Sequence, residues 1–257
     1  MLLAIDVGNT NTVFAVFADD GALKGEWRST SDPKRTADEF VVWLETLMAM
    51  KSLSPKDIDA AIIASVVPAM VFNLKSLCRT YFGCDPLVVG DKTLDLGIEV
   101  LLPRPEEVGA DRLVNGFAAA QKYGGPLIVI DFGTATTFDV IDGEGRYIGG
   151  AISPGINLSI EALHMAAAKL PRVAIVKPEK TIGVSTTEAM QSGIFWGYVG
   201  LIEGMVARIM AEYGQPMKVI ATGGLAPLFA EATEKIELTD ADLTMDGLLA
   251  IYRRNKH

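Results

Sequence analysis

Apolar residues in this chain fall into short runs and helical stripes, and the same order of elements occurs twice. Residues 2–7 (LLAIDV) predict a buried strand, 12–18 its hairpin partner, and Asp19-Asp20-Gly21 the turn that follows. Gly25 to Ser29 supplies a third strand. Thr36 to Met50 carries Phe40, Trp43, Leu44, Leu47 and Met48 at the spacing of one helical face. Ala60 to Val67 is continuously apolar, as an interior parallel strand would be. Pro68 then opens a helix through Tyr81, and Asp85 to Val89 reads as another strand.

The second half repeats the plan. Leu127 to Asp131, Thr136 to Ile141 and Tyr147 to Ile152 predict a strand trio, and Pro154-Gly155 opens a helix toward His164. Thr186 to Glu212 is a long helical stretch in which Gly193, Gly197, Gly200 and Gly204 share a face, either for internal packing or for a subunit interface. Lys218 to Thr222 is a strand ending in Gly223-Gly224, and Asp240 to Arg253 is the final helix. Hairpins followed by alternating helices and strands predict an α/β layer architecture.

Composition narrows the functions. The chain has 257 residues, 49% hydrophobic and 21% charged, as expected of a protein with a developed core. No apolar stretch approaches the roughly 20 residues of a membrane span. The N-terminus lacks the basic region of a secretory signal, which leaves the cytoplasm as the expected compartment and no membrane partner. A net charge of −9 argues against nucleic acid as the main ligand. Cys78 and Cys84 are too few for a structural zinc site and are expected as free thiols. With His164 and His257 the only histidines, an enzyme built on this chain would take a carboxylate as its base.

The candidate chemistry sits in the repeat. LLAIDVGNTNTVFAVF from Leu2 and LIVIDFGTATTFDVID from Leu127 each run into an aspartate, a glycine and a Thr-rich stretch; Asp6 and Asp131 stand 125 positions apart, as do Gly8 and Gly133. Such a turn offers backbone amides and hydroxyls to a phosphate, and Asp6 at the strand end can hold magnesium through water. Two copies favour a shared phosphate site over a pair of capped hairpins. There is no GxxxxGK[ST] and no GxGxxG after the first strand, and the Asp131-Phe132-Gly133 match to kinases is coincidental. Gly109-Ala110-Asp111-Arg112 falls near a helix N-terminus, where Asp111 could cap the helix or accept a hydroxyl proton while Arg112 fixes an anionic substrate.

Asp6–Thr12 (DVGNTNT), Glu107–Asn115 (EVGADRLVN), Asp131–Asp139 (DFGTATTFD) and Gly149–Ile156 (GGAISPGI) resemble the motifs of type III pantothenate kinases; Thr222-Gly223-Gly224 and Ser185-Thr186-Thr187 are similar to that family's later motifs. The resemblance implies the acetate and sugar kinase/actin-like fold: two duplicated RNase H-like α/β domains with a central nucleotide cleft. The expected division is 1–117 and 118–257, with the helix near Gly109 assignable to either half and the last helix able to pack on the first domain. The implied activity is ATP-dependent phosphorylation of pantothenate, the first step toward coenzyme A. By the family pattern Asp111 is the general base. Asp6, Val7, Gly8, Asn9, Thr10, Asn11, Thr12, Val13 and Thr134 contact the ATP phosphates, and Gly223 and Gly224 lie near the adenosine. Gly109, Ala110, Asp111, Arg112 and Thr186 face pantothenate. Asp131 binds a monovalent cation, potassium or ammonium, alongside magnesium served by Asp6. A homodimer is implied. One departure stands out: Leu102 occupies the position of a family tyrosine, which bears on the substrate loop. The alternatives are another small-molecule kinase of the superfamily and a non-catalytic nucleotide-binding regulator.

Overall fold

Each hairpin with its third strand seeds a five-stranded sheet. The computed structural model describes residues 1–166 and 170–256, so His257 lies outside the described residues. The chain forms two compact units: Met1–Gln121 with the segment from Asp242 onward, and Lys122–Ala241. The chain thus leaves the first unit later than position 117, and the final helix belongs to the first unit.

In the first unit, β1 (Leu2–Val7), β2 (Asn11–Phe17) and β3 (Leu23–Thr30) are antiparallel, while β4 (Ala60–Ser65) and β5 (Leu87–Val88) add in parallel, giving the order β3-β2-β1-β4-β5. Alternation along β1 divides its side chains between two cores. Leu3, Ile5 and Val7 pack against α1 (Ala37–Ala49) and α2 (Pro68–Tyr81) through Phe40, Leu44 and Leu74. Leu2 and Ala4 face α3 (Ala110–Tyr123) and α7 (Leu243–Asn255) through Val114, Phe117, Leu248 and Ile251. Both faces of β1 and β4 are therefore covered, which explains their nearly unbroken apolar sequences. Thr36 caps α1 in a reciprocal box with Glu39, and Pro68 occupies the first turn of α2.

The second unit repeats this order with β6 (Leu127–Phe132), β7 (Ala135–Ile141), β8 (Tyr147–Pro154), β9 (Lys218–Thr222) and β10 (Leu238–Thr239), arranged β10-β9-β6-β7-β8. Ile128, Ile130 and Phe132 pack with Phe138 and Val140 against α4 (Ile156–Ala166) and α5 (Thr186–Tyr213). Phe229 of the short α6 (Ala226–Ala230) stacks on Phe132 and Phe195 at 5.3 and 5.5 Å. The sequence reading had neither α6 nor β10; five and two residues are too short to show a period.

Two expectations need correction. The sequence shows no uninterrupted apolar stretch of membrane-spanning length, yet α5 is long and apolar enough to cross a membrane by length and composition. Its Phe195, Tyr198, Val199, Ile202 and Val206 recur at helical spacing and build the core of the second unit. Of the two readings of the α5 glycines, internal packing fails at Gly193, Gly197 and Gly200, where a Cβ would meet no atom of the described residues within 4 Å, whereas at Gly204 it would lie 3.0 Å from Arg208 Nη1. The cysteines are free, as expected; Cys78 is buried and its thiol is pushed up by its hydrogen bond to Cys84 and by burial.

The duplication is closer in space than in sequence. Both second strands break register at the same step, Val16/Phe17 and Val140/Ile141. The first turn spans Gly8 to Asn11 between paired Val7 and Thr12, whereas the second spans only Gly133 to Ala135 between Phe132 and Thr136. The structural counterpart of Thr12 is therefore Thr136, 124 positions on, not Thr137.

Candidate active site

Asp6 occupies the end of β1, half-buried, on the face that β1 turns toward α3 and α7. The following turn is closed by Gly8 N–H donating to Asn11 O at 3.0 Å, which leaves Asn9, Thr10 and Asn11 exposed. Ser31 buttresses it: its N–H donates to Thr10 O at 2.9 Å, and its hydroxyl donates to Gly8 O at 2.6 Å and lies 2.9 Å from the buried Thr12 hydroxyl. Ser31 was missed by sequence reasoning, because a lone serine after a strand carries no signal. Thr12 serves this scaffold with its hydroxyl, and Val13 is half-buried on the face shared with Asp6.

Asp111 lies in the first turn of α3, where unpaired backbone N–H groups collect. Its Oδ1 accepts from Arg112 N–H at 2.8 Å. Burial pushes the Asp111 carboxyl above the ordinary aspartate range, and Arg112, through that N–H and its guanidinium, offsets part of the rise. Gly109 fits between Asp111 and Val66: a Cβ there would lie 2.6 Å from Asp111 Oδ1 and 3.6 Å from a Val66 methyl. Val66 N–H in turn donates to Val7 O at 3.0 Å, so the start of α3 is anchored beside the end of β1. The α3 face of the first sheet thereby carries both Asp6 and the helix that presents Asp111. From the other side, Thr244 of α7 donates to Asn115 at 2.7 Å. Leu102 is half-buried in the irregular loop ahead of this helix, next to the exposed Arg104–Glu107 ion pair.

In the second unit Asp131 is half-buried at the end of β6 and packs against Gly223. Gly223 has φ +89°, and a Cβ there would lie 2.7 Å from Phe132 O and 2.8 Å from Asp131 Oδ1. Only glycine serves where backbone, carbonyl and carboxylate crowd in this way. Thr134 is exposed in the turn, and its carbonyl accepts from Gly155 N–H at 3.1 Å. Thr136 shares a short hydrogen bond with Tyr198 of α5, whose phenol is pushed up by burial. Gly224 is exposed beyond β9. Thr186 is exposed in the first turn of α5, capped by Ser185 accepting from Glu188 N–H at 3.2 Å. The predicted residues thus form two groups, Asp6–Val13 with Gly109–Arg112 in the first unit and Asp131, Thr134, Gly223 and Gly224 in the second, with Thr186 at the head of α5.

This paired-turn arrangement has known counterparts. The sequence pattern that defines type III pantothenate kinases matches residues 2–208. A type III pantothenate kinase of Paramagnetospirillum magneticum is 70% identical over 255 residues, covering 99% of this chain and 98% of its own. The chain belongs to the type III pantothenate kinase family. Another member, from Rhodospirillum rubrum, is 66% identical over 256 residues, with 100% and 99% covered. Among solved structures, the activator of 2-hydroxyisocaproyl-CoA dehydratase from Clostridium difficile, with bound ADPNP, aligns at TM-score 0.55 and 12% identity over 98% of this chain and 93% of its own. An inorganic polyphosphate/ATP-glucomannokinase from Arthrobacter aligns at 0.50 and 13%, with 98% and 97% covered. At such identities only the fold is shared, and it is that of the actin-like sugar kinases.

Proposed function

We propose that this chain transfers the γ-phosphoryl group of ATP to the terminal hydroxyl of pantothenate, giving 4'-phosphopantothenate, the first step toward coenzyme A. The observation that carries this reading is the half-buried Asp111 in the first turn of α3, anchored through Gly109 and Val66 beside the end of the strand that holds Asp6. Phosphoryl transfer has a loose transition state, so the residues act mainly by positioning and by offsetting charge. Asp111 aligns the attacking hydroxyl and receives its proton as the bond to phosphorus forms. Arg112 binds the substrate's carboxylate, with Gly109, Ala110 and Thr186 shaping its site. Asp6 to Val13 and Thr134 cradle the ATP phosphates, and Gly223-Gly224 border the adenosine.

Magnesium, when bound with the nucleotide, would neutralise phosphate charge next to Asp6. The oxygens around Asp131 suit a hard cation: a carboxylate oxygen and the Phe132 carbonyl oxygen crowd the same face of Gly223. A single carboxylate among neutral oxygens matches a monovalent ion, potassium or ammonium, better than a divalent one. A cytoplasmic homodimer completes this reading; it is supported by the open face of α5 at Gly193, Gly197 and Gly200, where a second helix could approach closely.

The test is a coupled assay with ATP, magnesium, potassium and pantothenate. Turnover that falls by roughly 10²-fold or more in Asp111→Asn supports the reading, and no turnover by the wild-type chain overturns it. A panel of other hydroxyl substrates separates it from a sister kinase. Salt-dependent DNA binding without turnover would favour the regulator instead.

A further inference from the structure

The two halves share one fold, so a position that is apolar in one and polar in the other marks chemistry the fold does not require. Asp6 pairs with Val13 on one side and Ala64 on the other. Asp131 pairs with Thr137 and Thr222 at the equivalent places. Paired residues project to the same face of a sheet, so Asp131 stands between two hydroxyl side chains where Asp6 stands between two hydrocarbon ones. The difference continues one step along the strand. Ala15 pairs with Ala4 in the first unit, and Asp139 pairs with Val129 in the second. Asp139 has no solvent exposure, and a carboxylate there is costly unless its oxygens are engaged. Its Oδ1 accepts from the buried Tyr147 hydroxyl at 2.7 Å and its Oδ2 accepts from Thr137 Oγ1 at 3.0 Å.

A threonine hydroxyl has one proton and two lone pairs. With its proton committed to Asp139, Thr137 offers only lone pairs to what lies beside Asp131. Together with Thr222, which is 3% exposed, and the Phe132 carbonyl, this makes a set of neutral oxygens around one carboxylate. A weakly hydrated monovalent ion is held by such oxygens in place of its water shell, as in potassium channels.

We infer that Thr137 and Thr222 are oxygen donors of the monovalent-cation site at Asp131, and that Asp139 is the positioning residue that fixes the Thr137 hydroxyl as an acceptor. This rests on the reading of Asp131 given above. It assigns the cation to the second copy for a structural reason, since the cross-strand neighbours of Asp6 are Val13 and Ala64 where those of Asp131 are threonines.

The experiment is thermal unfolding of the full chain as KCl replaces choline chloride at constant ionic strength, with the potassium dependence of turnover measured in parallel. In the wild type the midpoint rises with potassium and saturates. Thr137→Val and Asp139→Asn should raise the potassium concentration giving half the rise by roughly 5–10-fold, about the effect of one lost polar contact. Thr137→Ser should stay within about twofold of the wild type. Because the readout is a concentration, lower baseline stability of a variant does not imitate the effect. A lower baseline with an unchanged potassium half-point in Thr137→Val, while Asp131→Asn abolishes the response, overturns the inference and leaves the Asp131 reading standing. A full potassium response in Asp131→Asn overturns that reading and the inference with it.

Discussion

Replacing Asp111 by asparagine tests the base assignment with little change of shape. The amide oxygen can still accept from Arg112 N–H, as the carboxylate does at 2.8 Å, so the first turn of α3 is preserved. What is lost is the proton acceptor, and a positioned general base contributes about 10²- to 10⁴-fold. Turnover should therefore fall by roughly 10²-fold or more, with nucleotide binding retained. The pH profile supplies a second check. Burial raises the folded-state pKa of Asp111 above the usual 3.8, so the acid limb of turnover should lie above that value and be absent from the residual activity of the variant. Stability should move the opposite way to activity. A carboxyl whose folded pKa exceeds its unfolded one binds more protons when folded. Its contribution is full below 3.8 and is lost as pH rises through the folded pKa. At neutral pH the ionised Asp111 is a net cost, which asparagine removes, so the unfolding midpoint of Asp111→Asn at pH 7 should equal or exceed that of the wild type. Turnover within about tenfold of the wild type, or a lower midpoint with unchanged acid limb, would refute the reasoning.

Three further outcomes follow from the packing. Gly223→Ala places a Cβ 2.7 Å from Phe132 O at φ +89°, so it should cost about 1–3 kcal/mol in chemical denaturation and weaken ATP binding by calorimetry. Gly247→Val drives a side chain into Val114, whose Cγ1 would lie 2.7 Å from the new Cβ; it should cost about 1–3 kcal/mol and lower turnover by displacing α3, whereas an assay showing unchanged turnover would mean that α7 does not position Asp111. Gly197→Glu puts charge on the open face of α5; it should leave the fold intact by circular dichroism and shift sedimentation toward the monomer.

The layered α/β fold was legible because its signals are local and strong. The nearly continuous burial of β1 and β6 reads from their unbroken apolar runs, and the starts of α2 and α1 read from Pro68 and the Thr36–Glu39 box. What escaped lacked a period or depended on partners. α6 and β10 are too short, and β5 shrinks to Leu87–Val88 because only Ile62 and Ile63 pair with it. The glycines of α5 were ambiguous in sequence, since close packing and open exposure both favour small residues; only their surroundings separate the two.

Of the candidate site, the two aspartate turns were legible in the sequence but the residues that flank them were not. Counting from Asp6 to Asp131 gives 125, and carrying that spacing onward pairs Thr12 with Thr137. Structurally, however, Thr12 matches Thr136: both are buried on the face opposite the aspartates, one bonded to Ser31 and the other to Tyr198. The one-residue difference between the turns changes which threonine faces Asp131, because a slip of one residue moves a side chain to the opposite face of a sheet. A threonine that sequence comparison equates with a scaffold residue is therefore the one beside the carboxylate. The same shift sets Asp139 against Ala15, a contrast that an ungapped repeat does not display. Duplication explains the shared scaffold of both turns, and what distinguishes them is the side chains that flank each aspartate across the strands, Val13 and Ala64 in one and Thr137 and Thr222 in the other.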